Sequence, residues 1–406
     1  MKKIFNICNL YIFIWCLYFF HWYATGQVPI LERLANMFLG INWAISLYAT
    51  IVVMSRYRVN RLMKSMLVVV AVFIIYGLFS IIRGEVIVFS GVITINNGTY
   101  LIAPLRTFLP VFTFYLFTKM GLLTENVIQW WVAPFIVLCI FCFYAAQFVR
   151  YGEAMDDLFT NGAGYLFAAL FPFVYFFRNK PIIQYALVGG ILFFAVLALK
   201  RGAIIVDLVC FLYFFFDKMK NTKRSRLLWT TILITVVLVS VWNLSKGTLL
   251  SSDSFQDRVE QTIEGNDSNR SNLRHIQLSA YANGSIIQLL FGFGADGSLK
   301  ISPNYAHNDW IEVLVDQGLF GFFIYFIFWL TFFFTWRRSK WDLLVFNILG
   351  MLFLSGMLRT FFSMWYSNSN MFVSLPLGYC LALMTSRQIE KPETIKASTD
   401  VINTSK

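Results

Sequence analysis

Residues 307–336 read HNDWIEVLVDQGLFGFFIYFIFWLTFFFTW, a polar helical pattern that runs directly into an uncharged apolar one. From Leu319 to Trp336 no side chain carries a charge, and roughly 20 such residues at about 1.5 Å each span the hydrocarbon core of a bilayer. The same signal recurs in both directions. Apolar residues make up 58% of the 406 positions and charged residues 13%, which predicts an all-α polytopic membrane protein. Twelve helices are expected: Ile4 to Tyr23, Leu34 to Met54, Met66 to Ile82, Leu101 to Thr118, Val127 to Phe148, Gly164 to Phe177, Pro181 to Leu199, Ala203 to Phe216, Leu227 to Trp242, Leu319 to Trp336, Leu343 to Met357 and Met371 to Met384.

Basic residues accumulate in loops that stay in the cytoplasm. Lys2 and Lys3, the Arg56 to Lys64 group, Arg178 and Lys180, the Lys218 to Arg226 group, and Arg337, Arg338 and Lys340 all fall on one side of a twelve-crossing arrangement. Both termini share that side. The alternate loops are poorer in base, and one carries Glu153, Asp156 and Asp157, read as a solvated loop with sugar binding as the lesser option. The net charge of +12 therefore reports topology and not a nucleic-acid partner.

The chain divides into 1–243 (helices one to nine), an outer loop at 244–318, helices ten to twelve at 319–385 and a polar cytoplasmic tail at 386–406. The first apolar run is read as helix one and not as a cleaved signal, because no small-x-small site follows it. Cys8, Cys16, Cys139, Cys142, Cys210 and Cys380 all fall inside predicted helices, as packing residues and not as disulfide partners. Within the loop, Asp253 to Ile263 reads as an amphipathic helix. Leu273 to Leu290 reads as a second helix, stopped by Gly292-Phe293-Gly294 and Gly297.

Asp309 followed by Glu312 resembles a capping pair that opens a short helix ending at Gly318. His307 then lies just before a helix N-terminus, where the dipole opposes a second positive charge and keeps the imidazole neutral near pH 7. That state suits a general base; the alternative is a solvated loop histidine. Arg201, at the outer end of helix eight, and Arg270 and Arg274, in the loop, share its side. Guanidinium forks match phosphate oxygens, and helix eight points backbone donors the same way. Each arginine taken alone also fits snorkelling at the interface. Arg106 and Asp207 fall within helices four and eight, so they are expected to pair or to line the donor cavity. Arg359, Phe361, Phe362, Trp365 and Tyr366 are read as interface anchors in the last outer loop, with sugar stacking as the lesser option. No cluster of His and acid in the loop has metal-ligand spacing, which is compatible with chemistry that uses neither metal nor cofactor.

These residues carry a resemblance. The chain resembles the superfamily of O-antigen ligases and O-antigen or capsule polymerases, bacterial membrane glycosyltransferases of GT-C-like architecture. The ligase signature His-[Asn/Ser/Gln]-x9-Gly-x-x-[Gly/Thr/Tyr] is met by His307, Asn308, Gly318 and Gly321. Arg-x3-Leu is met by Arg274 and Leu278, the helix-borne arginine by Lys200-Arg201-Gly202, and the closing Gly-x-Gly by Gly292-Phe293-Gly294. Lys200 stands where relatives carry a hydroxyl residue, and Arg270 competes with Arg274 for one role. The resemblance implies an inverting transfer of glycan from undecaprenyl pyrophosphate to an acceptor hydroxyl on the periplasmic face of the bacterial inner membrane. In it His307 acts as base, Arg201, Arg274 and Arg270 hold the pyrophosphate, and Asn308, Gly318, Gly321, Arg106 and Asp207 support them. The acceptor is a glycan (polymerase, slightly favoured) or lipid A core (ligase), with a chain-length regulator as a further partner. A lipid-linked oligosaccharide flippase is the reading from another class, weakened by the absence of paired broken helices. A transferase with its carboxylate in the first outer loop has only Glu32 to offer.

Overall fold

The computed structural model describes residues 6–24, 29–83, 87–89, 93–95, 98–151, 162–221, 239, 243, 270–362 and 371–386. The predicted helix Leu227 to Trp242, apart from position 239, and the whole of the predicted amphipathic helix Asp253 to Ile263 lie outside the described residues. So do Glu153, Asp156, Asp157, Trp365, Tyr366 and the tail from 387.

Within hydrocarbon a chain must satisfy its backbone groups locally, so apolar runs become helices. Among the described residues, seven helices are long and apolar enough to cross a membrane: α1 (Ile7–Ala24), α2 (Pro29–Arg56), α3 (Arg61–Ile82), α4 (Gly98–Lys119), α5 (Glu125–Tyr151), α12 (Asp309–Arg338) and α13 (Leu343–Phe362). Shorter apolar helical segments cover Gly164–Phe177, α7 (Pro181–Leu197) and α14 (Met371–Ser386), and α8 is Arg201–Asn221. The protein is a multi-pass membrane protein. Its helices pack α1 on α2 and α5, α3 on α4 and α12, and α13 on α8 and α12. All six cysteines are free, and five are buried.

Three expectations are corrected. The predicted helix Gly164 to Phe177 is two pieces, α6 (Gly164–Ala168) and a 3₁₀ helix (Phe171–Phe177) with Pro172 in its first turn. Proline lacks the N–H that would bond four residues back, and its ring crowds that carbonyl; here the residue four back is Ala168, where α6 stops. The second departure from an all-helical chain is a small antiparallel pair, β1 (Ile87–Phe89) and β2 (Ile93–Ile95), between α3 and α4. The third is the predicted Leu273 to Leu290 helix, which is divided into α9 (Arg270–Ala282) and α10 (Ile286–Phe291). Ser285 restarts the chain with a reciprocal cap: its hydroxyl accepts from the Gln288 N–H at 3.3 Å and its N–H donates to Gln288 Oε1 at 2.8 Å. Such a box satisfies two N–H groups that a helix start leaves open.

α11 (Gly297–Ile301) follows, and α9, α10 and α11 all pack on α12. α12 is bent at Gly318, whose φ of 66° and ψ of −165° are not helical. Opposite it stands Gly292, at φ 73°. Between them the Phe293 N–H donates to the Val315 carbonyl at 2.8 Å and the Gly294 N–H to the Asp316 carbonyl at 3.0 Å. A β-carbon at Gly318 would lie 2.5 Å from the Gly292 nitrogen. The two glycine elements of the sequence are thus one structural device, a backbone-to-backbone contact that hinges the polar half of α12 away from its apolar half. Gly318→Ala combines a left-handed φ with that overlap and is expected to cost about 2–5 kcal/mol. A melting midpoint in detergent within a degree or two of wild type would contradict this account.

Candidate active site

His307 precedes α12 and adopts φ 53°, a left-handed conformation in which histidine is one of the few tolerated residues with a β-carbon. The cap that starts α12 is Asn308: its Oδ1 accepts from the N–H groups of Trp310 at 3.1 Å and Ile311 at 3.2 Å. The expected cap at Asp309 is one residue late. Asp309 is buried instead and accepts from the Tyr325 hydroxyl at 2.7 Å. Glu312 is 1% exposed, with its carboxylate beneath the N–H groups of His307 and Asn308. Its oxygens make no hydrogen bond of good geometry among the described residues. An acid in the first turn complements the helix dipole.

Arg270 and Arg274 are four residues apart on α9, so they share one helix face. The Arg274 Nη2 reaches the Phe361 carbonyl at 3.5 Å, and its Nε is buried without a hydrogen-bond partner among the described residues. Burial foremost, then the charges of Arg270, Lys200 and Arg274, lower the His307 pKa from 6.5 to about 4. The imidazole is therefore neutral at pH 7, as read from the sequence, but the cause is different: desolvation and three cations act on it. The charges of both Arg270 and Arg274 thus reach the imidazole.

Arg201 is the first residue of α8, between Lys200 and Gly202. Lys200, which departs from the superfamily pattern, is one of the cations whose charge acts on His307. Gly202 lets α8 start against Tyr165 and Phe362, which would meet any β-carbon placed there.

The last turn of α13 joins these elements, and its role was not legible as sequence. Residues 359–362 belong to the helix, which runs on past the predicted end at Met357. They are not an interface loop. Arg359 is 4% exposed, with its guanidinium 4.6 Å above the centre of the Tyr165 ring and its charge facing Asp309. Thr360 Oγ1 accepts from Trp310 Nε1 at 2.9 Å. The Phe361 carbonyl takes Arg274, and the Phe362 carbonyl takes the Tyr165 hydroxyl at 3.4 Å. One turn therefore ties the start of α12, the arginine face of α9 and the start of α8. The signal available was Arg359 itself, a charge in an apolar run, which rarely faces lipid.

Arg106 and Asp207 are not paired with each other. Arg106 Nη1 donates to the Tyr18 hydroxyl at 2.9 Å, and the guanidinium stands 5.9 Å from the centre of the Trp22 ring. Asp207 is 1% exposed, and neither carboxylate oxygen has a hydrogen-bond partner among the described residues. It lies within electrostatic reach of Tyr165, on the site's side of the bundle. Among the described residues no three His, Cys, Asp or Glu side chains are grouped to hold a metal ion. The buried acids of the loop segment serve its packing: Asp316 Oδ1 accepts from the Ser298 N–H at 2.7 Å, and Tyr305 donates to Asp296 at 3.2 Å. Burial pushes the Asp296 carboxyl up to about 6.

Residues 186–326 match the O-antigen ligase family. The matched region runs from α7 into α12 and contains Lys200, Arg201, Arg270, Arg274, His307, Gly318 and Gly321. It supports the resemblance to the O-antigen ligase and polymerase superfamily that the histidine and arginine motifs carry. No curated protein matches the chain.

Proposed function

We propose that this protein is an inverting membrane glycosyltransferase that moves a glycan from undecaprenyl pyrophosphate to an acceptor hydroxyl during assembly of a surface polysaccharide. The observation that carries the reading is the convergence of a half-buried, uncharged His307 with Arg270, Arg274 and Lys200 at one end of the bundle. The charge pattern of the loops supports placing that end on the periplasmic face of the inner membrane, with twelve crossings in a GT-C-like arrangement and both termini in the cytoplasm.

In the proposed step, His307 takes the proton of the acceptor hydroxyl while that oxygen forms a bond to the anomeric carbon. The bond from that carbon to the pyrophosphate oxygen breaks, and the electron pair leaves with the pyrophosphate. Negative charge grows on the leaving group, so fixed cations aimed at it stabilise the transition state more than the ground state. Arg270, Arg274 and Lys200 surround the base, and Arg201 adds its charge at the start of α8, where backbone donors already favour an anion. No step requires a metal ion.

The joining of lipid-linked repeat units is the favoured reaction, with a chain-length regulator as a fitting partner. Transfer to lipid A core is the second reading, and it is favoured by the ligase family that the chain matches. Purified protein in vesicles, given lipid-linked repeat units and lipid A core together, separates them. Long glycans still on the lipid carrier mean polymerase, and glycan on lipid A core means ligase. No transfer by a preparation that binds the donor would sink the proposal.

A further inference from the structure

Helix α10 has the sequence IIQLLF, and not one of its residues is buried by the protein. Ile286 is 76% and Ile287 71% exposed. A short helix that is apolar at every position but Gln288 and is laid bare in this way is best accommodated against another apolar medium. It is nonetheless held in place, because the Tyr76 hydroxyl of α3 shares its one proton between the Phe291 carbonyl at 2.9 Å and the Gln317 carbonyl at 3.2 Å.

Between α10 and α3 lies a cavity of about 620 Å³, walled by Ile75, Phe79, Ile287, Phe291, Phe293 and Phe320. That volume falls within the range of about 300–1,000 Å³ usual for a site that takes one small ligand. Phe79, Phe291 and Phe320, which line the cavity, are exposed, so it presents apolar surface that the protein leaves uncovered. The lining also includes Arg83 and Gln288. Arg83 caps α3 immediately after its apolar run ends at Ile82, which is where the hydrocarbon core gives way to head groups.

We propose that this cavity binds an anionic phospholipid of the surrounding membrane, with one acyl chain between α3 and α10 and its phosphate at Arg83. The cavity offers one arginine, which matches the single charge of a phosphodiester; a pyrophosphate is better met by the several cations around His307. The two places share no element except α12. The cavity is formed by α3, α10 and the apolar half of α12, and the cation cluster by α8, α9, the end of α13 and the residue that precedes α12. The lipid would brace the Gly292 to Gly294 strip, whose backbone is bonded to Val315 and Asp316 in the His307 helix. The site stands whether or not the transferase reading does.

Native mass spectrometry of the full chain in mild detergent, titrated with phosphatidylglycerol or phosphatidylcholine, tests the proposal. One phosphatidylglycerol per chain is expected to be retained, with about fivefold preference over phosphatidylcholine, the effect of one basic side chain near a head group. Arg83→Glu should erase the preference. Ile287→Trp, at an exposed position that cannot disturb the core, should reduce retention of both lipids by filling the chain site. Equal retention of the two lipids would overturn the proposal, as would a preference that survives Arg83→Glu. So would a co-purifying polyprenyl phosphate that phosphatidylglycerol cannot displace, because the cavity would then be a donor site.

Discussion

His307→Ala is expected to slow glycan transfer by about 10²- to 10⁴-fold, the contribution of a positioned general base, while donor-linked units accumulate and the protein still inserts. His307→Asn is the sharper variant. Asparagine tolerates the left-handed backbone that φ 53° demands but cannot take up the proton, so it should keep the fold and lose the rate equally. The pH dependence adds a signature that a structural role would not give. Burial and the neighbouring cations bring the imidazole down to about 4, which leaves it neutral at pH 7 but a weak base. A bound pyrophosphate would offset the charges of Arg270, Lys200 and Arg274, and so raise the imidazole pKa and strengthen the base as the donor arrives. The acid limb of kcat/KM reports the free enzyme and that of kcat the loaded one, so the kcat limb should lie at higher pH. Coincident limbs would remove the donor-activated base from the mechanism. Stability carries the same sign: a histidine that titrates near 6.5 unfolded and about 4 folded takes up protons more readily in the unfolded state, so its contribution is lost as pH falls from about 6.5 towards 4.

How much of this was visible in the chain differs from one residue to the next, for physical reasons. The apolar runs are local signals of membrane helices, so α1 to α5, α7, α8 and α12 to α14 correspond to predicted segments with ends shifted by a few residues. The ends moved where one residue overrode the pattern, as Pro172 did for α6 and Ser285 for α10. The pairing of Gly292 with Gly318 was present only as two punctuation marks, because their contact is made across sequence by backbone bonds of Phe293 and Gly294. His307 and the α9 arginines stood out because polar residue types in a helical register are readable one by one. The part played by Arg359 to Phe362 was not readable. It consists of carbonyl oxygens, a threonine hydroxyl and a ring face, and nothing in a sequence says which carbonyl will meet Arg274. Lys200 was noticed as a departure from the superfamily pattern, but its field at His307 depends on where Leu199, at φ 48°, turns the chain into α8.

Arg270→Gln and Arg274→Gln should each reduce transfer by about 10²- to 10³-fold, the usual result of removing one fixed donor aimed at developing charge. They should not be interchangeable. Arg270 is the strongest of the three charges that depress His307, so Arg270→Gln should also move the acid limb of kcat/KM upward, and by more than Arg274→Gln does. Arg274 has a second bond, to the Phe361 carbonyl; without it the last turn of α13 loses one tie to α9, and KM for the donor should rise along with the loss of kcat. Lysine at either position separates charge from shape. It keeps the positive field on the imidazole, so the acid limb should stay in place, yet it lacks the planar fork that holds two phosphate oxygens at once, so the rate should still fall. The double glutamine variant should cost less than the product of the single losses, since two groups that clamp one leaving group act as a unit. Single variants that stay within threefold of wild type, with an unmoved acid limb, would leave His307 without an anion to work against.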